Sequence, residues 1–528
     1  MIKTDIFVPE KYCESDIKSA LAESLPIEKS EILGLRILKD TLSVDKNKGV
    51  FRRLSVGVSF SSEREAGLLK MKKKVFAAPE YNLVIPKSQM KSRPVIVGSG
   101  PAGLFCALVL AEAGAKPIVL ERGLNVDERI KKVSVFEKMG ILDPECNIQF
   151  GEGGAGTYSD GKLKVGGMDE KKYYVLSEFV AAGADENITY STSAHLGTDR
   201  LSSIVKNLRN KAVSLGAEFI FGAKLVDIKI ENGAVKAAIY EKDSEKFSIS
   251  ADVLILAQGH SARDTFQMLF KKGVLMQPKG FGVGMRIEHP REYINRLVYG
   301  NSHAPELPTA SYHLVTHLPS GRSVYSFCMC PGGIVVAAAS SEGGVVTNGM
   351  SEHSRMGENS NAAILVSVSS EDFGSESPLA GLEYQRKIEE LAFLSAGSDY
   401  KAPAVALGEL CEGALTLPEN AVKPTYPRGV AHVSLKEYLP DYITESLKAG
   451  FADFDKWLPG YYLPEAALTG PETRTTSPVR IMREENFESS SLRGLYPIGE
   501  GAGYSGGIVS SAYDGVGCAL TVIQSVHN

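Results

Sequence analysis

The segment Pro94–Gly123, PVIVGSGPAGLFCALVLAEAGAKPIVLERG, constrains the fold more than any other part of the chain. Its short apolar run Val95–Val97 is typical of a buried strand, and the glycines Gly98, Gly100 and Gly103 that follow form the pattern G-x-G-x-x-G. An apolar helical run comes next, and then a second strand-like run. This order predicts a dinucleotide-binding βαβ unit.

Each residue of the turn has its own physical role in such a unit. Gly98 permits the tight turn, Gly100 lets the backbone approach a pyrophosphate, and Gly103 lets the helix pack closely on the strand. Pro101 suits the first helical turn, where its missing N–H costs nothing. Together with Ala102 it opens a helix whose free N–H groups and positive end favour phosphate.

Two charged residues follow the second strand-like run. We expect Glu121, at its end, to accept hydrogen bonds from a ribose hydroxyl pair. For its neighbour Arg122 two interpretations stay open, a contact with adenine or phosphate and an exposed surface charge.

The same glycine pattern recurs twice, at Gly151-x-Gly153-x-x-Gly156 and at Gly501-x-Gly503-x-x-Gly506. Neither copy lies in a complete strand–turn–helix–strand unit, so neither predicts a second nucleotide domain. They are interpreted as loops close to the same cofactor, with ordinary turns as the alternative. The residues of these regions predicted to bind the cofactor are Gly153, Gly154, Thr157, Gly507 and Ile508.

Composition places the chain among ordinary globular proteins. Its 528 residues are 43% hydrophobic and 23% charged, and no apolar run is long enough for a membrane span. The first residues lack the apolar core of a signal peptide, and the seven cysteines are scattered, so we expect a reducing, cytoplasmic location and no membrane partner. No C-x-x-C spacing occurs, so we expect no dithiol reductase, and we also expect no metal site.

The charge is unevenly distributed. Residues 1–93 contain 18 Lys/Arg and 12 Asp/Glu, which gives a charge of +6. Because the net charge of the whole chain is −5, the remaining residues carry −11. Four of these lysines, Lys70, Lys72, Lys73 and Lys74, lie close together. They are interpreted as a solvated face or, alternatively, as contacts to an anionic partner, nucleic acid included.

The fold class is predicted as α/β, in four segments. A small N-terminal α+β domain spans residues 1–90 and includes the helix-like Asp16–Leu25. The first part of a Rossmann-type nucleotide-binding domain spans 91–272, with Glu218–Ile230 and Val235–Tyr240 as a predicted hairpin. An inserted mixed α+β substrate or cap domain spans 273–464, and residues 465–528 return to the nucleotide-binding domain.

Taken together, these elements resemble an FAD enzyme of the glutathione-reductase-type fold. In that family a strand ending in A-T-G and a late strand ending in G-D also approach the cofactor. Here Ala257-Gln258-Gly259 and Gly499-Glu500-Gly501 stand in those places. The resemblance implies that Val226, Gly259, Gly499 and Glu500 also belong to the FAD site, with Glu500 bonding a ribityl hydroxyl.

A closer resemblance is to a group of bacterial and plastid proteins called uncharacterised FAD-dependent dehydrogenases. It rests on strings along nearly the whole chain: FGEGGAGTYSDGKL, HLGTDRL, FCMCPGG, TNGMS, ETRTTSPVR and YPIGEGAGYSGGIVSSAYDG. It implies an FAD fold with a small N-terminal domain and an inserted substrate domain. It implies no particular substrate.

Several polar residues are candidates for chemistry. Cys328 and Cys330 alternate in a strand-like run, which would turn both thiols to one face, near a flavin or packed in a core. A polar loop, with Asn348, Ser351, His353, Arg355, Asn359 and Asn361, is interpreted as a substrate-headgroup site or an exposed loop. Arg263 is a candidate phosphate ligand.

The motif ETRTTSPVR contains Glu472, Arg474 and Arg480. Arg474 is predicted to hold a substrate anion through paired hydrogen bonds, or else to form an internal ion pair with Glu472 or another acid. The catalytic candidates are therefore Arg474 and Cys330.

We predict an FAD-dependent oxidoreductase that transfers hydride between flavin and a small, anionic organic substrate. The electron donor stays open between NAD(P)H, which lacks a second fingerprint here, and a protein donor such as ferredoxin. One alternative is a flavoprotein that binds or modifies RNA through its basic N-terminal domain. Another is a sensor in which FAD is structural.

Overall fold

The computed structural model describes residues 1–45, 49–70, 75–163, 166–300, 307–413 and 421–525. The predicted lysine group is therefore only partly covered, because Lys72, Lys73 and Lys74 lie outside these ranges. No helix within them is both long and apolar enough to cross a membrane.

The N-terminal unit is a four-stranded antiparallel sheet, in the order β2-β3-β1-β4, with two helices. This βαββαβ order is the ferredoxin-like arrangement. Alternate residues of β1 are buried, as expected for a sheet covered on one face, and they pack with Ile17 and Leu21 of α1. The elements are β1 (Ile2–Pro9), α1 (Glu14–Ser24), β2 (Gly34–Asp45), β3 (Gly49–Ser59), α2 (Ser62–Leu69) and β4 (Phe76–Ala77).

An outer strand connects this unit to the rest of the protein. The Asp40 N–H of β2 donates to the Tyr190 carbonyl at 2.8 Å, and the Thr192 N–H donates to the Asp40 carbonyl at 2.9 Å. The N-terminal unit is thus hydrogen-bonded to residues of the nucleotide-binding part.

Residues 95–271 form the first part of the nucleotide-binding fold. Its elements are β5 (Val95–Val97), α3 (Pro101–Glu112), β6 (Ile118–Glu121), α4 (Val126–Met139), α5 (Glu170–Ala181), α6 (Thr198–Ser214), β7 (Glu218–Phe221), β8 (Lys224–Glu231), β9 (Ala234–Lys242), β10 (Glu245–Ser250), β11 (Leu254–Leu256) and α7 (Arg263–Lys271). The Ala155–Tyr158 segment is a 3₁₀ turn.

The predicted hairpin is confirmed only in its second half. Asn232 (φ +51°) and Gly233 (φ +70°) form the turn between β8 and β9. The prediction of one strand from 218 to 230 is wrong, because Gly222 at φ +65° breaks it. Its first half, β7, instead pairs in parallel with β6.

The next part of the chain is built around a seven-stranded sheet in the order β14-β15-β18-β13-β21-β19-β20. Its elements are β12 (Met276–Pro278), β13 (Phe281–Pro290), α8 (Arg291–Tyr299), β14 (Val315–His317), β15 (Ser323–Cys330), β16 (Ile334–Ala337), β17 (Thr347–Met350), β18 (Asn359–Val368), α9 (Ala380–Ser395), β19 (Ala402–Ala406), α10 (Leu407–Glu412), β20 (Val430–His432), α11 (Asp441–Trp457) and β21 (Ala467–Glu472). Because β21 pairs with β13 and β19, the chain leaves this sheet after Glu472, not at the predicted boundary before 465.

The chain then returns to the nucleotide-binding fold through β22 (Val479–Ile481), β23 (Leu495–Pro497) and α12 (Ile508–Ser525). The completed five-stranded parallel sheet has the order β23-β11-β5-β6-β7. Numbered along the chain, this is the order 3-2-1-4-5 of dinucleotide-binding folds, in which ligands bind at the carboxyl ends of the strands.

Helix α3 is buried around its whole circumference from Ala102 to Ala111 because α6 and α12 cover it on the sheet. The contact with α12 depends on Gly515. A Cβ atom at that position would overlap the Ala102 carbonyl.

We therefore expect Gly515→Ala to lower the free energy of unfolding by about 1–3 kcal/mol, since the extra methyl group pushes α12 away from α3. Thermal and urea unfolding measure this loss. The control is Gly67→Ala in α2, where a Cβ has no atom within 4 Å, so that alanine should be neutral or stabilising. Equal stability of the two variants would contradict the proposed packing role.

Candidate flavin site

A cavity of about 450 Å³ lies at the carboxyl ends of β5, β6, β11 and β23. Its other wall comes from the second part of the chain, chiefly from β15. The predicted site residues that line it are Gly98, Gly100, Pro101, Ala102, Glu121, Arg122, Gly154, Gly259, Arg474, Gly499, Glu500, Gly507 and Ile508.

Five predicted site residues do not line this cavity. Gly103 is the packing glycine of the helix, since a Cβ there would overlap the Gly98 carbonyl. Gly153 and Thr157 contact each other outside the cavity wall, and a Cβ on Gly153 would overlap the threonine hydroxyl. Val226 does not line the cavity, but the preceding residues 223–225 do. Cys330 does not line it either, whereas Cys328 does.

The glycine loop of residues 147–154 is held by one buried arginine. Arg129 of α4 is fully buried, and burial lowers the pKa of its guanidinium. It donates to five backbone carbonyls: Asn147 (2.9 Å), Ile148 (2.8 Å), Gly151 (3.3 Å), Glu152 (2.7 Å) and Gly154 (3.0 Å). The loop can therefore present Gly154 to the cavity without regular secondary structure.

Glu121 is buried and hydrogen-bonded to the backbone around it. One carboxylate oxygen accepts from the Ser99 N–H (2.8 Å) and hydroxyl (2.7 Å), and the other accepts from the Gly123 (2.9 Å) and Gly151 (3.1 Å) N–H groups. Its ribose contact stays a prediction, and a ribose would have to compete with or share these bonds.

Arg122 is largely buried, so it is not the exposed surface charge that was one of its two interpretations. Its guanidinium pairs with both oxygens of Asp264 (3.0 and 2.8 Å), bonds Glu145 at 2.7 Å, and lies 4.2 Å from the centre of the Phe150 ring. Burial alone would raise the pKa of Asp264, but Arg122 and Lys224 lower it to about 2. The arginine is a fixed cation in the cavity wall.

Three observations indicate that the residues lining this cavity can hold a dinucleotide. The first turns of α3 and α12 both line the cavity, so two helix N-termini face it. A Cβ at Gly100 would meet no protein atom closer than Gly154 Cα at 3.7 Å, which leaves room for a close ligand. Gln258 lines the cavity with both amide atoms buried and without a protein partner. These are the groups that would hold FAD.

Glu500 also lines the cavity and makes no side-chain hydrogen bond within the described ranges. Burial raises the pKa of its carboxyl to about 7, while Lys279 opposes the shift. A hydroxyl of a bound ligand would supply the hydrogen-bonding partner that the protein does not.

The opposite wall is organised by Arg286 of β13, which sequence reasoning missed. It is fully buried and pairs with both oxygens of Glu472 (2.5 and 2.9 Å). Burial opposes its charge, but Glu472 raises the pKa of the guanidinium. Its remaining bonds go to the Cys328 carbonyl (2.8 Å), Asn348 (2.9 Å), Asn361 (2.9 Å) and the Cys330 sulfur (3.9 Å).

The two cysteines do not alternate as a regular strand would place them. Pairing of β15 with β18 shifts register between Phe327 and Cys330, and Cys328 has φ +39°. Cys328 is half-buried in the cavity wall, whereas Cys330 is fully buried. A catalytic role for Cys330 stays a prediction.

Arg474 reaches the cavity wall while held in an ion pair. Its guanidinium makes two bonds to Glu389 of α9 (3.0 and 2.8 Å) and also donates to the Ser340 hydroxyl. The internal ion-pair interpretation thus describes this residue, with Glu389 and not Glu472 as the partner. Arg263, the candidate phosphate ligand, bonds the same Glu389 at 2.9 Å.

Burial alone would raise the pKa of Glu389, but Arg263 and Arg474 hold it at about 2. One carboxylate therefore serves two guanidiniums, and the cluster carries one excess positive charge. His260 lines the cavity beside it, and burial, Arg474 and Arg263 lower the pKa of this imidazole to about 4.

The predicted polar loop does not form one site. Asn348 lies in strand β17, and of the six residues predicted for this loop it alone lines the cavity. Arg355 pairs with Asp160 (2.9 and 2.5 Å), and His353 stacks on His195 at 5.0 Å between ring centres. Ser351, Asn359 and Asn361 are buried, and Arg480 lies over the Tyr504 ring.

Four groups central to the site escaped prediction: Arg129, Arg286, Glu389 and the Gln258 amide. A signal existed for Arg286, because a charge inside the apolar run FGVGM-R-I needs a buried partner. No local pattern marks Arg129, whose partners are backbone carbonyls. No group of three or more His, Cys, Asp or Glu side chains arranged for a metal occurs in the part of the chain that the structure describes.

We expect Gly100→Val to fold but to lose most of its FAD, because the side chain fits the protein and occupies the space of the ligand. The ratio of flavin to protein absorbance after purification measures this. Gly34→Val is the matched control, since its Cβ also meets its nearest atom, Ser59 Cβ, at 3.7 Å, far from the cavity. Full flavin content in the Gly100 variant would mean that the cofactor lies elsewhere.

Two protein families match separate segments of this chain. The family described as "FAD binding domain" matches residues 93–130, and the family described as "FAD-dependent protein, C-terminal domain-like" matches residues 280–475. An uncharacterized protein of Clostridium beijerinckii is 44% identical over 514 residues, 96% of each chain. The dual trans-enoyl reductase/FAD-dependent monooxygenase tazHJ of Aspergillus terreus is 29% identical over 168 residues, 31% of this chain and 22% of that protein.

Among solved structures, a geranylgeranyl bacteriochlorophyll reductase-like protein of Thermoplasma acidophilum is 11% identical (TM-score 0.37; 82% of this chain, 78% of that chain). A flavoprotein/dehydrogenase of Cytophaga hutchinsonii is 13% identical (TM-score 0.34; 82% and 79%). At such scores these likenesses carry no argument.

The family matches and the clostridial relative agree with the resemblance seen in the sequence. The chain belongs to this family of FAD-dependent proteins, and it is a flavoprotein oxidoreductase with FAD as its cofactor.

Proposed function

We propose that this protein transfers hydride between FAD and a small anionic organic substrate, bound where β15 closes the cavity. When bound, FAD supplies the hydride chemistry, and the protein orients the substrate and sets the charge around it. The strand order and the glycine turn further support a glutathione-reductase-type arrangement of the FAD domain.

The observation that carries the proposal is the uncompensated positive charge beside the cavity. Arg263 and Arg474 share the single carboxylate of Glu389, and Lys162 also lines the cavity. By contrast, Arg286 is neutralised by its own partner, Glu472. A bound carboxylate or phosphate would balance the excess, since a charge in a buried site needs a partner.

The electron donor is part of the proposal in either of two forms. NAD(P)H would have to use the same cavity or a site without the usual fingerprint. A protein donor such as ferredoxin would dock from outside. Anaerobic reduction of the holoenzyme by NADH or NADPH, followed by absorbance, distinguishes the two.

We expect Arg474→Met to keep FAD and to weaken the binding of sulfite, a small anion that reacts with flavins, by about 10- to 150-fold. That range corresponds to loss of one charge-assisted hydrogen bond, about 1.5–3 kcal/mol. Folding should survive because Glu389 keeps Arg263 as a partner. Bleaching of the flavin absorbance during sulfite titration gives the affinity.

Arg386→Met serves as the control, because this arginine of the same region is exposed and pairs with Glu383 and Glu390 at the surface. If the Arg474 variant unfolds or sheds FAD while its remaining holoenzyme binds sulfite normally, Arg474 acts only as an ion-pair partner. The proposal that the substrate is anionic then loses its main support.

A second candidate function, RNA binding by the N-terminal unit, is favoured by the open face of its sheet. Phe7 is 63% exposed there and meets Phe51 edge-on at 5.8 Å between ring centres. Lys3 and Arg53 share that face, although Arg53 pairs with Asp5 at 2.8 Å. Aromatic side chains on a sheet with nearby cations are a platform on which single-stranded bases stack.

For this second function we expect the full-length protein to bind a short oligouridine RNA in a salt-dependent manner. Phe7→Ala should weaken binding by about 5- to 150-fold, the loss of one stacked base at about 1–3 kcal/mol. Phe247→Ala, which removes an exposed ring from a different sheet, is the control. Absence of measurable binding at low salt would reject the function.

A further inference from the structure

A network of hydrogen bonds leads from the second part of the chain to His260, in the turn between β11 and α7. The Gln149 Nε2 group donates to the Ala338 carbonyl at 3.3 Å. The Ser261 hydroxyl lies 3.2 Å from Oε1 of Gln149 and 3.0 Å from Nδ1 of His260. His260 is half-buried and lines the cavity. The network therefore ends on an imidazole that a ligand can reach.

The direction of these bonds determines which nitrogen of His260 carries the hydrogen. Because the Ala338 carbonyl can only accept, Gln149 presents Nε2 to it and turns Oε1 to Ser261. Oε1 can only accept as well, so the single hydroxyl hydrogen of Ser261 goes to Gln149. The hydroxyl then accepts from His260, whose Nδ1 carries the hydrogen. In the neutral imidazole Nε2 therefore has a lone pair, and it has no partner within the described residues.

The charges around His260 keep its imidazole neutral. Burial and the neighbouring cations Arg474, Arg263 and Lys279 lower its pKa to about 4, and Glu389 opposes them. At neutral pH Nε2 is thus a hydrogen-bond acceptor. A bound anion would offset the cations and raise the pKa, so the imidazole becomes a stronger base when an anionic ligand is present.

Arg474, which lines the same cavity, has N–H groups left for such an anion. Its Nε and Nη2 each donate once to Glu389, and its Nη1 donates to the Ser340 hydroxyl. These bonds use three of the five N–H groups of a guanidinium, so one on each Nη has no acceptor among the described residues. Arg474 can therefore bind a carboxylate without giving up its ion pair.

We propose that His260 is a catalytic base for a small hydroxy acid, whose carboxylate binds Arg474 and whose hydroxyl donates to Nε2. This inference rests on the proposed hydride transfer and names its substrate class. The hydroxyl proton passes to Nε2, the hydride on the same carbon passes to FAD with two electrons, and the C–O single bond becomes a carbonyl. The products are an oxo acid, reduced flavin and a protonated His260.

An acceptor beside an excess of positive charge selects among small acids. A simple carboxylate balances the charge but leaves Nε2 without a donor. A zwitterionic amino acid has a donor, but its ammonium group cancels the negative charge that the arginine cluster needs. A hydroxy acid supplies both the negative charge and the donor.

The first experiment compares hydroxy acids with their deoxy analogues on the native holoenzyme. Glycolate is paired with acetate, lactate with propionate and malate with succinate, and calorimetry gives the affinities. In at least one pair the hydroxy acid should bind about 2- to 10-fold more tightly, the effect of one hydrogen bond. It should also bleach the flavin under anaerobic conditions. Equal affinities within all three pairs would overturn the proposal.

His260→Asn separates the roles of the two nitrogens. Asparagine places an amide near the position of Nδ1, where it can keep the bond to Ser261, but it has no atom in place of Nε2. Flavin content and the affinity for the deoxy acids should stay unchanged. The preference for the hydroxy acid should vanish, and anaerobic bleaching should slow by about 100- to 10,000-fold. His317→Asn is the matched control, because Nδ1 of this exposed histidine lies 2.9 Å from the Ser323 hydroxyl, outside the cavity wall.

The outcomes separate this inference from the proposed function. Unchanged bleaching in His260→Asn would overturn the role of His260 and leave the hydride transfer standing. A hydroxyl preference that this variant loses, in a protein that no hydroxy acid reduces, would support recognition by His260 and count against the hydride transfer.

Ser261→Ala provides a second test if His260→Asn does not fold. It removes the acceptor of the Nδ1–H group, so the ring is no longer held in one tautomer. The preference for the hydroxy acid should then fall by about 2- to 10-fold. An undiminished preference in a folded Ser261→Ala protein would overturn the proposal, and if neither variant folds, the affinities of the native protein decide.

Discussion

The fully buried Arg129 is the interaction on which the cofactor end of this molecule depends. Its guanidinium donates to five carbonyls of residues 147–154, one from Nε, one from Nη2 and three that share Nη1. Within the described residues no carboxylate forms an ion pair with Arg129, so the dipoles of these carbonyls stabilise its positive charge. Glu121 attaches the same loop from the other side through the Gly151 N–H, which joins it to the turn after β5.

The opposite wall of the cavity is built on a different principle, with buried carboxylates that pair with one or two arginines. Removing the carboxylate of such a cluster leaves buried guanidiniums without a partner, so Glu389 and Glu472 are costly to change even where they touch no ligand. Arg286 with Glu472 is balanced and fixes backbone geometry at Cys328. Arg263 and Arg474 with Glu389 are unbalanced, which leaves one excess positive charge beside the cavity.

The sequence predicted the parts of this structure that depend on local pattern. Gly98, Gly103 and Pro101 behave as the fingerprint requires, and the turn at Asn232-Gly233 forms. It could not predict which carboxylate would face Arg474, because Glu389 lies on a distant helix whose position depends on packing of the whole domain. The bulge at Cys328 likewise follows from pairing with β18 and from Arg286, so period-two reasoning misplaced Cys330.

The cover of α3 has a consequence for how the protein is made. β5, α3 and β6 leave the ribosome long before β23 and α12, which lie more than 350 residues further along the chain and complete the sheet and the cover of α3. Until then the nascent chain exposes an apolar helix that chaperones recognise and that promotes aggregation. Because residues at the end of β23 and at the start of α12 line the cavity, its wall is complete only in chains whose synthesis has passed α12.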